Sequence, residues 1–349
     1  MNKLARFLVV PIALPIIYFL VVIVIASIAG YKPRAVEQIS KFEDDFFLND
    51  TSVYSVLIWN IGYGGLGAEM DFFYDGGKSV RDSENNVRRN IYKITEFLQA
   101  NDSVDFMLLQ EVDLKSKRSY RIDQVDHFNL ALAGHFPFFV NNYKVFYVPV
   151  PPLKPMGKVN SGLLSFAAHI PAETSRHSFP GNYSWPTRLF MLDRCFLVNR
   201  FKMHSGKELL IINTHNSAFD DGSLRLLQTN CLHNFLEEEE DKGNSFVVGG
   251  DWNQSPGNFV QAFEDHFFDT LNLSYIENAF LQPGWNWAYD NAVPSNRRVM
   301  EPYIKGQTPV TLIDFFLTSS NIEVLSCKGV DMDFRFSDHN PVIISFRLK

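Results

Sequence analysis

The sequence predicts an α+β fold built on two stacked sheets. Three observations point there: β-rich apolar runs outnumber helical stretches, strands and helices do not alternate strictly, and the aromatic content demands a large interior. The 32 phenylalanines among 349 residues have to be mostly core, because a soluble surface carrying them would aggregate. A net charge of −7 argues against a protein whose main task is gripping a nucleic-acid backbone, which needs a basic face. Cys195, Cys231 and Cys327 show neither zinc spacing nor a disulfide framework, and Cys231 falls on the apolar stripe of a predicted helix as a buried thiol.

From Phe7 to Ala29 no charged residue occurs, a run of about 23, enough to cross the roughly 30 Å hydrocarbon core of a bilayer as a tilted helix. Pro11 and Pro15 kink its first half, which membrane helices tolerate. The run exceeds the roughly 7–15 apolar residues of a signal-peptide core. An uncleaved anchor over residues 1–30 is therefore expected ahead of a cleaved signal, although Ser27-Ile28-Ala29 offers a peptidase small residues. Lys3 and Arg6 nearly balance Lys32, Arg34 and Lys41 across the run. Orientation then rests on the tendency of short N-terminal tails to stay inside, which predicts a single-pass membrane protein with an extracytoplasmic catalytic domain.

Residues 31–51 read as a polar linker and 52–349 as the catalytic domain. Val53 to Trp59 is apolar enough for a buried strand, and the loop after it is glycine-rich. Ser83 to Ala100 reads as a helix, with Val87, Ile91, Ile94 and Leu98 at helical spacing behind an Asp82/Ser83 cap. Val104 to Gln110 is a short apolar run ending on Glu111. Further strands are expected at Phe138–Val148, Gly162–Ala168, Arg194–Phe201, Leu209–Thr214, Phe246–Gly250, Val310–Thr318 and Val342–Arg347. A second helix is expected at Ser223–Glu240, with Leu224, Leu227, Cys231 and Phe235 on one face and the glutamates Glu237 to Glu240 as a solvated end. Phe146–Val159 and Asn278–Thr308 carry no period, and loops this long in a compact domain are commonly functional.

Short polar peptides close several of these strands: Trp59-Asn60, Gln110 to Asp113, Asn213 to Asn216, Gly249 to Asn253, Ile313 to Phe315 and Ser337 to Pro341. Hydrolysing a phosphodiester at neutral pH needs a hard cation, an aimed and deprotonated water, and donors for the charge that grows on phosphorus. Glu111 and Asn60 suit the light shell of Mg2+, either as ligands or one layer out. Asp251 and Asn253 share a face if the segment is extended, so one can orient water while the other contacts phosphate. Asp314 and Asp338 give His339 acidic partners that favour its imidazolium, and His215 offers a second donor. Each peptide alone has a plainer reading, a turn-forming Asn or a local Asp cap. Their order and their uniform place at strand ends lift the set above those readings.

In these peptides the chain resembles the endonuclease/exonuclease/phosphatase superfamily, from about Tyr54 to Phe346. The resemblance implies a four-layer α/β/β/α sandwich of two stacked mixed sheets, with the active site at one edge. It implies Glu111 as principal metal ligand with Asn60, and Asp338 as the acidic residue near the metal. It also implies Asp251 as the residue that positions water, Asn253 as its phosphate-contacting neighbour, His339 as catalytic histidine supported by Asp314, and His215 as a phosphate contact. One departure is that Gly162-Leu163-Leu164-Ser165 is followed by Phe166, where relatives often carry Arg. The other is the expanded, aromatic segment before Asp314.

The expected activity is that of a membrane-anchored phosphodiesterase using Mg2+, or Mn2+ in its place. Water attacks in line on a phospholipid or related small phosphodiester, with lipid favoured over nucleic acid and the chain a monomer. Tethering raises the effective concentration toward lipid headgroups, and Trp285, Trp287 and Tyr289 offer either an interface or core packing. A secreted or surface nuclease is the alternative, with Lys115, Lys117, Arg118 and Arg121 as phosphate contacts or as solvated surface. A catalytically inactive binding scaffold is the alternative from another class.

Overall fold

The computed structural model describes residues 3–43, 46–218, 220–263 and 274–349, with side chains from Ala13 onward. One sheet has six strands in the order β15 (Ile322–Gly329), β16 (Val342–Leu348), β3 (Val53–Asn60), β4 (Phe106–Asp113), β6 (Gly157–Ala167) and β5 (Phe136–Val148). The other has eight. Its path runs β1 (Val36–Lys41), β7 (Glu173–Ser178), β8 (Cys195–Met203), β9 (Glu208–His215), β10 (Ser245–Asp251), β14 (Asp314–Thr318) and β11 (Asn286–Ala288), with β2 (Phe47–Leu48) paired to β8. A ribbon of β12 (Asn296–Arg297) and β13 (Val310–Thr311) stands apart, so the expected strand Val310–Thr318 is two strands broken at Leu312-Ile313.

Strand alternation builds the layers. Val56 and Ile58 of β3 join Phe106, Leu163, Leu197, Ile211, Val247 and Phe316 in the slab between the sheets. Their neighbours Leu57 and Trp59 point the other way, to α2 (Glu84–Ala100) and α3 (Gln124–Ala131), where Ile91, Ile94, Leu98 and Phe128 meet them. The outer face of the larger sheet is covered by α4 (Ser223–Asp241) and by the aromatic segment around Phe280, Trp285 and Trp287. The two inner layers are thus mixed sheets and the two outer ones helical or aromatic. Trp285 and Trp287 are core residues: Trp287 stacks on Phe280 and meets Trp252 and Phe315 edge-on, while Trp285 meets Phe246 and Phe280 edge-on.

Several expectations change. Val36–Lys41 lies in the segment read as linker, yet it pairs antiparallel with β7 as a sheet edge. Its strand is polar and half exposed, so it carries no apolar signal. The α4 face is rotated: Leu232, Leu236, Gln228 and Glu239 are buried, while Leu226 and Leu227 are exposed. The glutamate tail is not a solvated end, because Glu239 pairs with Arg200 at 2.7 Å and Glu240 accepts from Trp285 Nε1 at 2.6 Å. Polar partners waiting on the sheet pull this face inward.

Glu239 should therefore carry measurable stability. Burial works against its charge, but Arg200, Lys242 and Asn244 outweigh that and hold the carboxyl down at about 2. Against an unfolded value of about 4.3 this is worth at most about 3 kcal/mol. A depressed carboxyl stabilises above its unfolded pKa and loses that contribution as pH falls through the folded one. Urea unfolding of Glu239→Gln should show a gap to wild type that is full at pH 6 and closes toward pH 2.

At the N-terminus, α1 (Lys3–Ala29) packs its later turns against β5 and the turn at Thr187–Phe190. Among the described residues no helix is long and apolar enough to cross a membrane. Within the expected span from Phe7 to Ala29, side chains are described from Ala13 onward.

Candidate active site

Strand ends gather the polar residues. Asn60 closes β3, Glu111 sits near the end of β4, His215 closes β9, Asp251 closes β10, Asp314 opens β14, and Asp338-His339 precede β16. Strand β3 runs parallel to β4, and β9 to β10, so these ends emerge at one edge of the sandwich. The pairing of β4 with β6 slips between Leu109 and Val112, and there Glu111 adopts a φ of 55°. A left-handed non-glycine residue costs about 1 kcal/mol. The bulge turns the Glu111 carboxylate into a cavity of about 380 Å³ that Asp251, Asn253, His215, Asp338 and His339 also line.

Asn60 and Gln110 join the two sheets. Asn60 Nδ2 lies 3.0 Å from Asp251 Oδ2 and 3.4 Å from Glu111 Oε1, while its Oδ1 accepts from the Gly62 amide. Asn60 thus turns its NH2 toward the two carboxylates and tethers them. Beneath it, Gln110 Nε2 donates to Asn213 Oδ1 at 2.8 Å, and Asn213 Nδ2 donates back to the Leu109 carbonyl.

Asp251 accepts from the Asn253 amide at 2.9 Å, and Asn253 Nδ2 donates to the Asn216 carbonyl. The chain is not extended here. Asn253 has a φ of 51°, so a tight turn brings the two side chains together where a strand was expected to. Burial, opposed by His339 and reinforced by Asp314, pushes the Asp251 carboxyl up to about 6. His215 Nε2 lies 3.4 Å from Asp251 Oδ2, and its Nδ1 has no hydrogen-bond partner among the described residues. Burial and the charges of Arg194, His339 and Arg118 hold this imidazole neutral.

His339 Nδ1 is 2.7 Å from Asp314 Oδ2, which also accepts from Ser295 Oγ at 2.8 Å. Burial opposes the imidazolium, but Asp314, Asp338 and Asp251 overcome it and raise His339 to about 10. Its Nε2 faces Asn296 and Asp251, at 3.0 and 3.8 Å. The Ser337 hydroxyl donates to the Asn60 carbonyl and accepts from the His339 amide, which fixes this loop on β3.

Two groups of donors invite a divalent cation. Asp251, Asp314 and His339 bring ligand atoms within 4.8 Å of one another. There the short hydrogen bond already occupies His339 Nδ1, so the trio reads better as a proton-holding relay. Glu111 and Asp338 instead present hard carboxylate oxygens to the open cavity. Burial, opposed by His339 and reinforced by the charge of Glu111, pushes Asp338 up to about 7. Carboxylates that resist joint ionisation fit a cation between them.

The arginines of the site fall outside the motif peptides. Phe166 is buried in the helix-facing core and supplies no charge. Arg118, read in a four-residue cluster as a phosphate contact or as solvated surface, is buried. It binds Asp113 at 3.0 Å, reaches within 3.7 Å of Glu111 and stacks on Tyr63. Arg194, just before β8, lines the cavity with its buried Nη1 unbonded. Asn296 sits in the unpatterned loop, where nothing in the sequence marked it.

The sequence profile of the Endonuclease/Exonuclease/phosphatase family matches residues 57–339. Sequence comparison with curated proteins finds no significant match. Among solved structures, an endonuclease/exonuclease/phosphatase from Beutenbergia cavernae is similar at 17% identity and TM-score 0.57, covering 85% of this chain and 72% of that one. D. rerio TDP2 complexed with a single-strand DNA product is similar at 13% identity and TM-score 0.53, covering 85% and 99%. The human Nocturnin catalytic domain with bound sulfate is similar at 18% and 0.51, covering 87% and 97%. At these identities the structures speak for the fold alone. The family profile, spanning most of the chain, goes further: this chain belongs to the endonuclease/exonuclease/phosphatase family of metal-dependent hydrolases acting on phosphoester bonds.

Proposed function

We propose that the chain is a membrane-anchored, Mg2+-dependent phosphodiesterase that hydrolyses a phospholipid or related small phosphodiester, with its catalytic domain outside the cytoplasm. One observation carries this reading: the polar cluster lies in a cavity walled by Leu66, Phe72, Tyr74, Tyr143, Met156 and Met191. Such walls suit a compact headgroup with apolar surroundings better than a long polyanion. The uncharged run from Phe7 to Ala29 supports the anchor.

Glu111 and Asp338 would hold the cation, with Asn60 fixing the Glu111 carboxylate. When bound, Mg2+ would neutralise phosphoryl oxygens and stabilise the leaving alkoxide. Asp251 takes the proton of the attacking water, a task suited to a carboxyl raised toward neutrality. His339, held as imidazolium, donates to a phosphoryl oxygen as charge grows on it. His215, Asn253 and Arg194 supply further donors, and Arg194 takes the place of the arginine that Phe166 lacks.

Full-length protein should be offered sphingomyelin vesicles, phosphoinositide vesicles and plasmid DNA, each with Mg2+ and with EDTA, beside an Asp251→Ala control. A water-soluble product from lipid, absent with EDTA and in the control, is the expected result. Nicked DNA with no lipid turnover would transfer the assignment to a nuclease.

A further inference from the structure

One rim of the cavity is apolar and unpartnered. Leu153 is 96% exposed, Phe146 62% and Trp185 58%, whereas Leu66, Tyr143 and Met156 of the cavity wall are buried. These three are contiguous through the fold. Tyr143 of β5 donates to the Phe190 carbonyl at 3.0 Å, joining the strand that carries Phe146 to the turn that follows Trp185. Met156, at the far end of the Leu153 loop, and Tyr183, beside Trp185, both line the cavity.

The same rim carries α1. Tyr18 donates to Tyr147 Oη at 2.8 Å, and Ala26 is buried against the domain. Away from these contacts the helix leaves Ile17, Leu20, Val24 and Ile28 bare. The helix touches both β5 and the turn at Thr187–Phe190, so its bare side chains lie beside the rim, and exposed apolar groups set together mark an interaction surface. Cations fringe it: Lys144, Lys154, Lys158 and Arg188 are all exposed. Apolar side chains set among cations match the interface of an anionic bilayer.

We propose that α1 together with Phe146, Leu153 and Trp185 is a bilayer-contacting surface that seats the cavity mouth against the headgroups of an anionic membrane. The docking stands on this geometry; its use for substrate delivery rests on the phosphodiesterase reading above.

Trp185 is the only exposed tryptophan among the described residues, so it reports on its own environment. Full-length protein on phosphatidylcholine/phosphatidylserine vesicles should have part of its tryptophan emission quenched by bromine-labelled acyl chains, and Trp185→Phe should abolish that part. Leu153→Asp with Phe146→Ser should lower turnover of vesicle-embedded substrate about tenfold and leave hydrolysis of a soluble aryl phosphodiester unchanged. Quenching by bromolipid that Trp185→Phe does not alter would overturn the proposal. So would a detergent-free dimer in which Trp185 is shielded, which would give the surface to a second copy. Quenching and vesicle binding as expected, with no lipid turnover by any variant, would uphold the docking surface and reject the lipid substrate.

Discussion

Asp251→Asn should lower kcat on a soluble aryl phosphodiester by about 10³-fold, while raising thermal stability. The amide keeps the shape of the carboxylate, and Asn60 Nδ2, now 3.0 Å from Oδ2, still finds an oxygen to donate to. What disappears is the capacity to take a proton from water. Stability should move the other way because this carboxyl is raised in the folded protein, chiefly by burial and also by Asp314. A group whose folded pKa lies above its unfolded one is penalised whenever it is ionised, and a neutral amide escapes that penalty. Sites built for chemistry commonly carry such a cost. Steady-state kinetics with thermal unfolding at neutral pH checks both signs. A drop in melting temperature alongside the lost activity would mean that Asp251 holds the fold together and is no base.

The second large effect concerns the pair His339 and Asp314. His339→Gln should cost about 10²- to 10³-fold in kcat, the range for removing one donor to a developing oxyanion. Asp314→Asn should cost nearly as much, because the 2.7 Å contact to Nδ1 both orients the ring and supports its positive charge. Since the aspartate acts through the imidazole, the double variant should be scarcely worse than His339→Gln alone. Multiplying effects in this cycle would show that Asp314 has a separate task.

The strands with apolar alternation were legible in the sequence, as were the residues at their ends. Val53–Asn60 and Ser245–Asp251 are buried on both faces and so announce themselves. Val36–Lys41 and Ile322–Gly329 did not, because an edge strand half in water needs few apolar side chains. The α4 face was misjudged for a related reason: Gln228 and Glu239 are buried through specific partners that no periodicity reveals. Within the site, carboxylates and histidines fall in short recognisable peptides. Arg118 and Arg194 reach it from outside those peptides, and an arginine in a sequence gives no hint of whether its guanidinium ends in solvent or against Glu111.

The amides that clasp one sheet to the other have a mechanical consequence. Oily contact between stacked sheets is non-directional, so a slip of a fraction of an ångström would cost it little. Directional bonds at Asn60, Gln110 and Asn213 forbid that slip. Glu111 rides on one sheet and Asp251 on the other. These three carboxamides therefore calibrate the span between the Glu111 and Asp251 carboxylates, much as a jig holds two workpieces at a set gap.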